Sequence, residues 1–446
     1  MHLNVMTQCS PSPQFEGLWR DPHDGSSSGY RSLDYWIPIA HKLEAASIDA
    51  LFFADVHGHY DVYAGSWRSS VRHAVQCPSI DPVPVVAALA AATNRLGFAV
   101  TYSTTYHAPY ECARLFSTLD HLTGGRIGWN IVTSYLRSAE QDGLGEYLQH
   151  DERYDRADEY VEICRGLWEQ SWEDAAVVRN GAEDTFADPS RVHEIGHEGR
   201  WFKVRGPHQC EPSPQRTPVL YQAGASGRGT AFAARHAEVV FLTLPDASTG
   251  AAHVRDLRRK TESLGRDPKR LKLLQAGFVL TAESRADVRA KIERFGQLTS
   301  ADGELAKVSG WMGFDLAAYP AELPITQIPM QGSQSLRDFL RRFDPGRAWT
   351  VGEVRSLVLL SRRPHRRMGW LVGTPEQIAD QMEQYLAESG VDGFNLIPCP
   401  PSSGVDDICG LVVPELQRRG LYRRGYEANA PSLRERYFGA GERHYR

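Results

Sequence analysis

Apolar and polar positions follow two rhythms along the chain. Short apolar runs, the pattern of strands buried on both faces, alternate with longer stretches whose apolar residues recur every three or four positions, the pattern of helices packed on one side. The runs at 2–7, 49–54, 96–103, 126–134, 218–223, 239–244, 271–280 and 391–397 read as eight strands. Helices are expected at 34–46, 82–94, 109–119, 152–170, 228–236, 247–264, up to about 297, at 375–388 and at about 405–419. In the first, Leu33, Trp36, Ile37, Ile39, Ala40 and Leu43 share a side; in the second, Pro82 and Pro84 fall in the opening turn, where proline is tolerated. Eight buried strands alternating with helices predict an α/β fold, a single (β/α)8 TIM barrel with insertions, in preference to a doubly wound sheet with its fewer strands.

Three stretches break the rhythm. Residues 56–81 read as a polar, aromatic loop. Residues 171–216 read as irregular or hairpin-like, with WFKVRG a short strand. Residues 298–370 read as an insertion, which includes QGSQS and the basic run Arg362, Arg363, Arg366 and Arg367, a solvated loop or an anion-steering patch. The expected layout is a barrel over 1–421, the insertion at 298–370 as an active-site lid, and a polar tail at 422–446 that wraps the surface or a partner subunit.

With 446 residues the chain can bury a large core, and 41% hydrophobic residues can fill it. The net charge of −5 argues against nucleic acid as a partner. Seven scattered cysteines without a CxxC speak against a disulfide framework or a zinc knuckle, and for a reducing cytoplasm. No secretory leader and no apolar run of membrane-spanning length is visible.

Barrel active sites lie at the C-terminal ends of the strands. Those ends carry Gln8 and Cys9; Asp55, His57 and His59; Thr101, Tyr102, Tyr106 and His107; Asn130, Thr133, Ser134 and Tyr135; and Gln222 before AGASGRG. Hydroxyls, amides and imidazoles outnumber carboxylates, which suits a polar planar ligand and not glycoside hydrolysis. The turn at 223–229 follows a strand and opens a helix, so its backbone N–H groups and Ser226 form either an anion cradle or an ordinary glycine-rich turn. Asp55-x-His57-x-His59 is either a polar loop or the ligand set of a metal-dependent hydrolase. His150 and Tyr154 share a helix face if that helix starts slightly early. Phe53, Tyr102, Tyr106, Tyr135 and Trp311 are candidates for an apolar substrate pocket.

Five strings lie in order along nearly the whole chain: LFFAD at 51–55, STLDHLTGGRIGWNIVTS at 117–134, QHDERYDRADEY at 149–160, EPSPQRTPVLYQAGASGRG at 211–229 and VVPELQRRGLY at 412–422. Together they resemble the bacterial-luciferase-like flavin monooxygenases, in the branch of nitrilotriacetate monooxygenase, dibenzothiophene-sulfone monooxygenase and pristinamycin IIA synthase. YDVYAGS at 60–66, SYLRSA at 134–139 and SWEDAAV at 171–177 lean toward dimethyl-sulfide monooxygenase. The resemblance implies a TIM barrel, reduced FMN as diffusible co-substrate, O2, a separate NAD(P)H:flavin reductase, a homodimer or homotetramer and no resident metal. Carried over by position, Asp55, Thr101, His150, Tyr154 and Ser226 would contact the flavin, the last three at its phosphate with the backbone of Gly227. Asn130 and Thr133 would lie under the ring system. His107 departs from the family pattern; by strand-end position alone, His107, His57 or His59 is the candidate catalytic imidazole. The expected substrate is small or apolar, foremost a thioether or sulfone, with an amine, imine or natural-product intermediate as the alternative. A non-catalytic flavin-binding subunit is the further reading.

Overall fold

The computed structural model describes residues 1–136, 138, 142–143, 148–224, 226–328, 347–360 and 369–445. Eight parallel strands form a closed barrel: β1 (His2–Gln8), β2 (Ala50–Ala54), β3 (Gly97–Ser103), β4 (Ile127–Val132), β5 (Val219–Gln222), β6 (Val239–Leu242), β7 (Lys272–Thr281) and β8 (Gly393–Pro398). Each pairs with the next, and β8 pairs back onto β1. These are the eight strands expected, displaced by no more than a few residues at their ends.

The helices that return the chain are α1 (Leu33–Ala45), α2 (Pro82–Ala92), α3 (Pro109–Thr123), α4 (His150–Arg165), α5 (Gly227–His236), α6 (Ala247–Ser263), α7 (Arg285–Leu298), α8 (Ala301–Met312) and α9 (Pro375–Ser389). Their starts are fixed by local chemistry. The Asp81 carboxylate accepts from the Val83 N–H at the start of α2, Ser226 from Gly229 at α5, and Asp246 from Thr249 at α6. Each satisfies a backbone donor that the first helical turn leaves open.

Alternation along the strands divides the core into two layers. Leu51 and Phe53 of β2 face the helices, where the Phe53 ring lies 5.3 Å from that of Trp36. Ala50 and Phe52 face the barrel interior, and Phe52 stacks on Phe241 at 4.5 Å. Phe53 therefore does not wall the mouth, contrary to expectation, because its neighbours in the strand claim the inward face.

The tail at 422–446 does more than cover the surface. Leu433, Tyr437 and Phe438 join the interior cluster, and the Tyr437 hydroxyl donates to Asn4 Oδ1 at 2.8 Å. A short C-terminal helix, Leu433–Phe438, thus closes the end of the barrel opposite the mouth.

The 171–216 stretch is hairpin-like as expected, with two antiparallel ribbons, Val177–Asn180 with Thr185–Ala187 and His197–Glu198 with Lys203–Val204, the last inside WFKVRG. Two segments carry structure that periodicity did not predict. Residues 56–81 include a helix at Arg68–His73. Trp370–Gly373 is a strand where none was expected. It pairs with Phe278–Thr281, along the edge of β7 whose first half holds β6. The ten-residue β7 outruns β6 and offers that edge. The basic run at 362–367 and QGSQS at 331–335 lie outside the described residues. No disulfide joins any of the seven cysteines, and among the described residues no helix is long and apolar enough to cross a membrane.

Candidate active site

Two adjoining cavities open at the C-terminal ends of the strands and share Asp55, Val56 and His57. The first, about 260 Å³, is walled by the ends of β4 and β5 and the start of α4, including Thr133, Tyr135, His150, Arg153, Tyr154, Gln222, Gly224 and Ser226. The second, about 410 Å³, is walled by the 56–81 loop and the end of β3, including His59, Cys77, Asp81, Thr101, Tyr102 and His107.

The first cavity contains a tight cradle. α4 begins at His150, two residues before its expected start, so His150 and Tyr154 do share a face, with ring centroids 5.3 Å apart. A methyl group on Gly229 would stand 2.8 Å from the Tyr154 hydroxyl, and one on Gly224 would stand 2.7 Å from it. Glycine is therefore required at both positions for the first turn of α5 to press against Tyr154. Burial pushes the Tyr154 phenol up, and hydrogen bonding with Thr133 and Ser226 only partly offsets this, so it stays protonated and can donate. Backbone N–H groups at a helix start, a hydroxyl and a phenol converge there, the donor set an oxyanion ligand needs.

Behind this wall, Asn130 Nδ2 donates to Thr101 Oγ1 at 2.9 Å, and Thr101 donates to the Phe53 carbonyl at 3.0 Å. The two residues are register partners on β3 and β4. Thr101 reaches the second cavity, whereas Asn130 sits behind it and lines neither cavity. Gly227 is exposed and also lies outside both walls.

The three histidines gather at the second cavity, and His57 also reaches the first. His57 lies 6.0 Å from His107 and 4.6 Å from Tyr106, ring to ring. His107 stacks on Tyr102 at 3.9 Å. Burial, and then the His57 imidazole, hold His107 below the usual histidine range, so it is neutral at neutral pH. Burial raises the Asp55 carboxyl, an effect that His57 opposes. Among the described residues no group of three or more His, Cys, Asp or Glu side chains could hold a metal ion, so Asp55, His57 and His59 do not form the ligand set their spacing allowed.

Arg153, Gly224, Cys77 and Asp81 belong to the cavity walls without having been singled out. Arg153 had a signal, as the neighbour of Tyr154 at a helix start. Cys77 and Asp81 had none, because a loop brings them back over the mouth.

The chain matches the luciferase-like monooxygenase family model over residues 18–393. It belongs to that family. A long-chain alkane monooxygenase of Geobacillus thermodenitrificans (strain NG80-2) is 44% identical over 99% of this chain and 94% of its own length. The dimethyl-sulfide monooxygenase of Hyphomicrobium sulfonivorans is 40% identical over 99% of this chain and 90% of its own. The crystal structure of a long-chain alkane monooxygenase superposes with a TM-score of 0.91 at 43% identity, covering 100% of this chain and 97% of that one.

This luciferase-like enzyme is a flavin-dependent monooxygenase, with reduced FMN as cofactor and O2 as oxidant. The residues at the mouth fit that cofactor. The cradle offers the kind of donors a phosphate needs. Gln222 Oε1, in the wall of the first cavity, is buried without a hydrogen-bond partner among the described residues. Buried polar atoms of this kind want partners, and a flavin's ring edge and ribityl hydroxyls offer both donors and acceptors.

Proposed function

We propose that the chain is the oxygenase component of a two-component system, which takes reduced FMN from a separate NAD(P)H:flavin reductase and oxygenates a small or apolar organic substrate. The observation that carries this is the glycine-lined cradle at Tyr154, Ser226 and Gly229 opening into the paired cavities. Tyr154, Ser226 and His150 would hold the phosphate. Asp55, Thr101 and Thr133 would hold the ring system, with Asn130 fixing Thr101 from behind. Reduced FMN, once bound, would supply the electron pair for O2 activation, with one oxygen atom going to the substrate and the other to water.

The protein's part is to orient, to exclude water and to manage a proton. Neutral His107, with the His57 ring beside it, is placed to accept or return one; His59 lines the same cavity. The insertion would supply the cover; its described helix α8 approaches the site where Trp311 donates to the Tyr135 hydroxyl at 3.0 Å, behind a wall of the first cavity.

For the substrate, the named relatives act on an alkane and on an organic sulfide. An uncharged apolar molecule is the common ground, and a thioether or sulfone remains our foremost class. The amine alternative has one observation in its favour, since Asp55 and Asp81 both line the larger cavity. A homodimer or homotetramer sharing a cytoplasmic compartment with its reductase completes the reading.

The test is an anaerobic titration with reduced FMN, followed by reductase-coupled O2 uptake with a dialkyl sulfide, a sulfone, an n-alkane and an N-alkylamine. Saturable binding and substrate-dependent product formation are expected. Absence of binding, or O2 uptake that ends only in hydrogen peroxide with every class, defeats the proposal.

A further inference from the structure

The cradle is built where α5 begins, yet its first turn is held from outside the cavity. One carboxylate, Asp158, grips α5 at both ends. Its Oδ2 accepts from Arg228, the second residue of α5, at 2.5 Å, and its Oδ1 lies 2.7 Å from Nε2 of His236, the last residue. Asp158 stands one helical turn after Tyr154 on the same face of α4. Arg228 is further tied to Asp155 at 2.9 Å, which keeps its guanidinium turned to α4. His236 is 1% exposed, so this contact is shielded from solvent. The fit between Gly229 and Tyr154 thus depends on how α5 lies across α4, and Asp158 sets that.

We propose that Asp158 is a positioning residue for the cradle: by holding Arg228 and His236 it seats the first turn of α5 against Tyr154 and so lets the enzyme prefer the phosphorylated flavin over riboflavin. This rests on the reading that the cradle takes the FMN phosphate. Electrostatics alone predicts the opposite sign for a mutant. Removing a negative charge near a phosphate, and loosening Arg228, should raise affinity for the anion. A fall in affinity is therefore the mark of lost positioning.

The experiment compares reduced FMN with reduced riboflavin in anaerobic titrations of the full chain. Wild type should prefer reduced FMN by roughly tenfold or more, and Asp158→Asn should lose roughly tenfold toward FMN while its affinity for riboflavin holds. A rise in FMN affinity, or an equal fall for both flavins, overturns the positioning role. A wild type with no preference removes the cradle reading itself, and the proposal with it. Should Asp158→Asn not fold, the pair His236→Gln and His236→Leu reads the same quantity. Glutamine keeps a donor for Asp158 and should keep the preference; leucine should lose it. Equal preference in both overturns the proposal.

Discussion

At Gly229 a single methyl group decides whether the cradle exists. Alanine is the better helix former, so Gly229→Ala should leave helix content intact by circular dichroism. Its Cβ would nevertheless press on the buried Tyr154 hydroxyl and on Ser226 Oγ, 3.0 Å away. Affinity for reduced FMN should fall by more than about tenfold, or about 1.4 kcal/mol; unchanged affinity would show that Tyr154 does not face the ligand. His107 poses a different question. His107→Ala should leave reduced-FMN binding within about twofold while raising the share of O2 released as hydrogen peroxide, since water exclusion and proton placement suffer before affinity does. Unchanged coupling between O2 uptake and product would remove His107 from the chemistry. At this scale the sequence exposed residue types and spacing, such as the i,i+4 pair His150 and Tyr154. It could not separate Thr101, which meets a cavity, from Asn130, which stands behind it.

Among the elements, α8 is seated by a fully buried charge pair. Lys307 is fully buried and ion-paired with Glu16, from the segment after β1, with Glu304 at 3.7 Å. One turn on, Trp311 reaches Tyr135 at the cavity wall. Burial pushes the Glu16 carboxyl up from 4.5 to about 7, against the pull of Lys307 and with a push from Glu304. A carboxyl raised on folding stabilises below its unfolded value and loses that contribution as pH climbs through the folded one. The melting temperature should therefore decline from about pH 4.5 to about 7 through this group, and Glu16→Gln should flatten that slope in a pH series of thermal melts. Lys307→Met removes the buried cation beside Glu16 and should cost about 3–5 kcal/mol in urea unfolding; a cost under about 1 kcal/mol would mean the pair is not buried in solution. None of this was legible from periodicity, because Glu16 and Lys307 lie far apart in the chain and neither follows the apolar rhythm.

For the whole molecule, the tail is the feature whose loss should be felt farthest from the site. Arg434 is fully buried and holds both oxygens of Glu238, at 2.9 and 2.7 Å, besides donating to the carbonyls of Gln215 and Thr217. Arg434→Ala leaves Glu238 buried without its cation and should cost about 3–5 kcal/mol in urea unfolding, with the reduced-FMN affinity of the folded fraction unchanged; a loss below about 1 kcal/mol would place the tail outside the core. A polar tail read from composition alone gave no hint of this, since its few apolar residues are spaced to fill a hole and not to form a face. The eight strands and their helices, by contrast, were determined by the sequence alone: each run such as LFFA at 51–54 is apolar on both faces, and only a parallel sheet wrapped in helices buries both. The glycine-rich turn after β5 and the early start of α4 were likewise written locally, in Ser226 as a cap and in the spacing of His150 and Tyr154. What only the tertiary structure decided is which of these residues meet. The cavity walls join strand ends to a loop that folds back, α8 is anchored by a lysine on a distant glutamate, and α5 is pinned at both ends by Asp158. Those contacts arise from barrel closure and from buried charges seeking partners, and neither leaves a period in the chain.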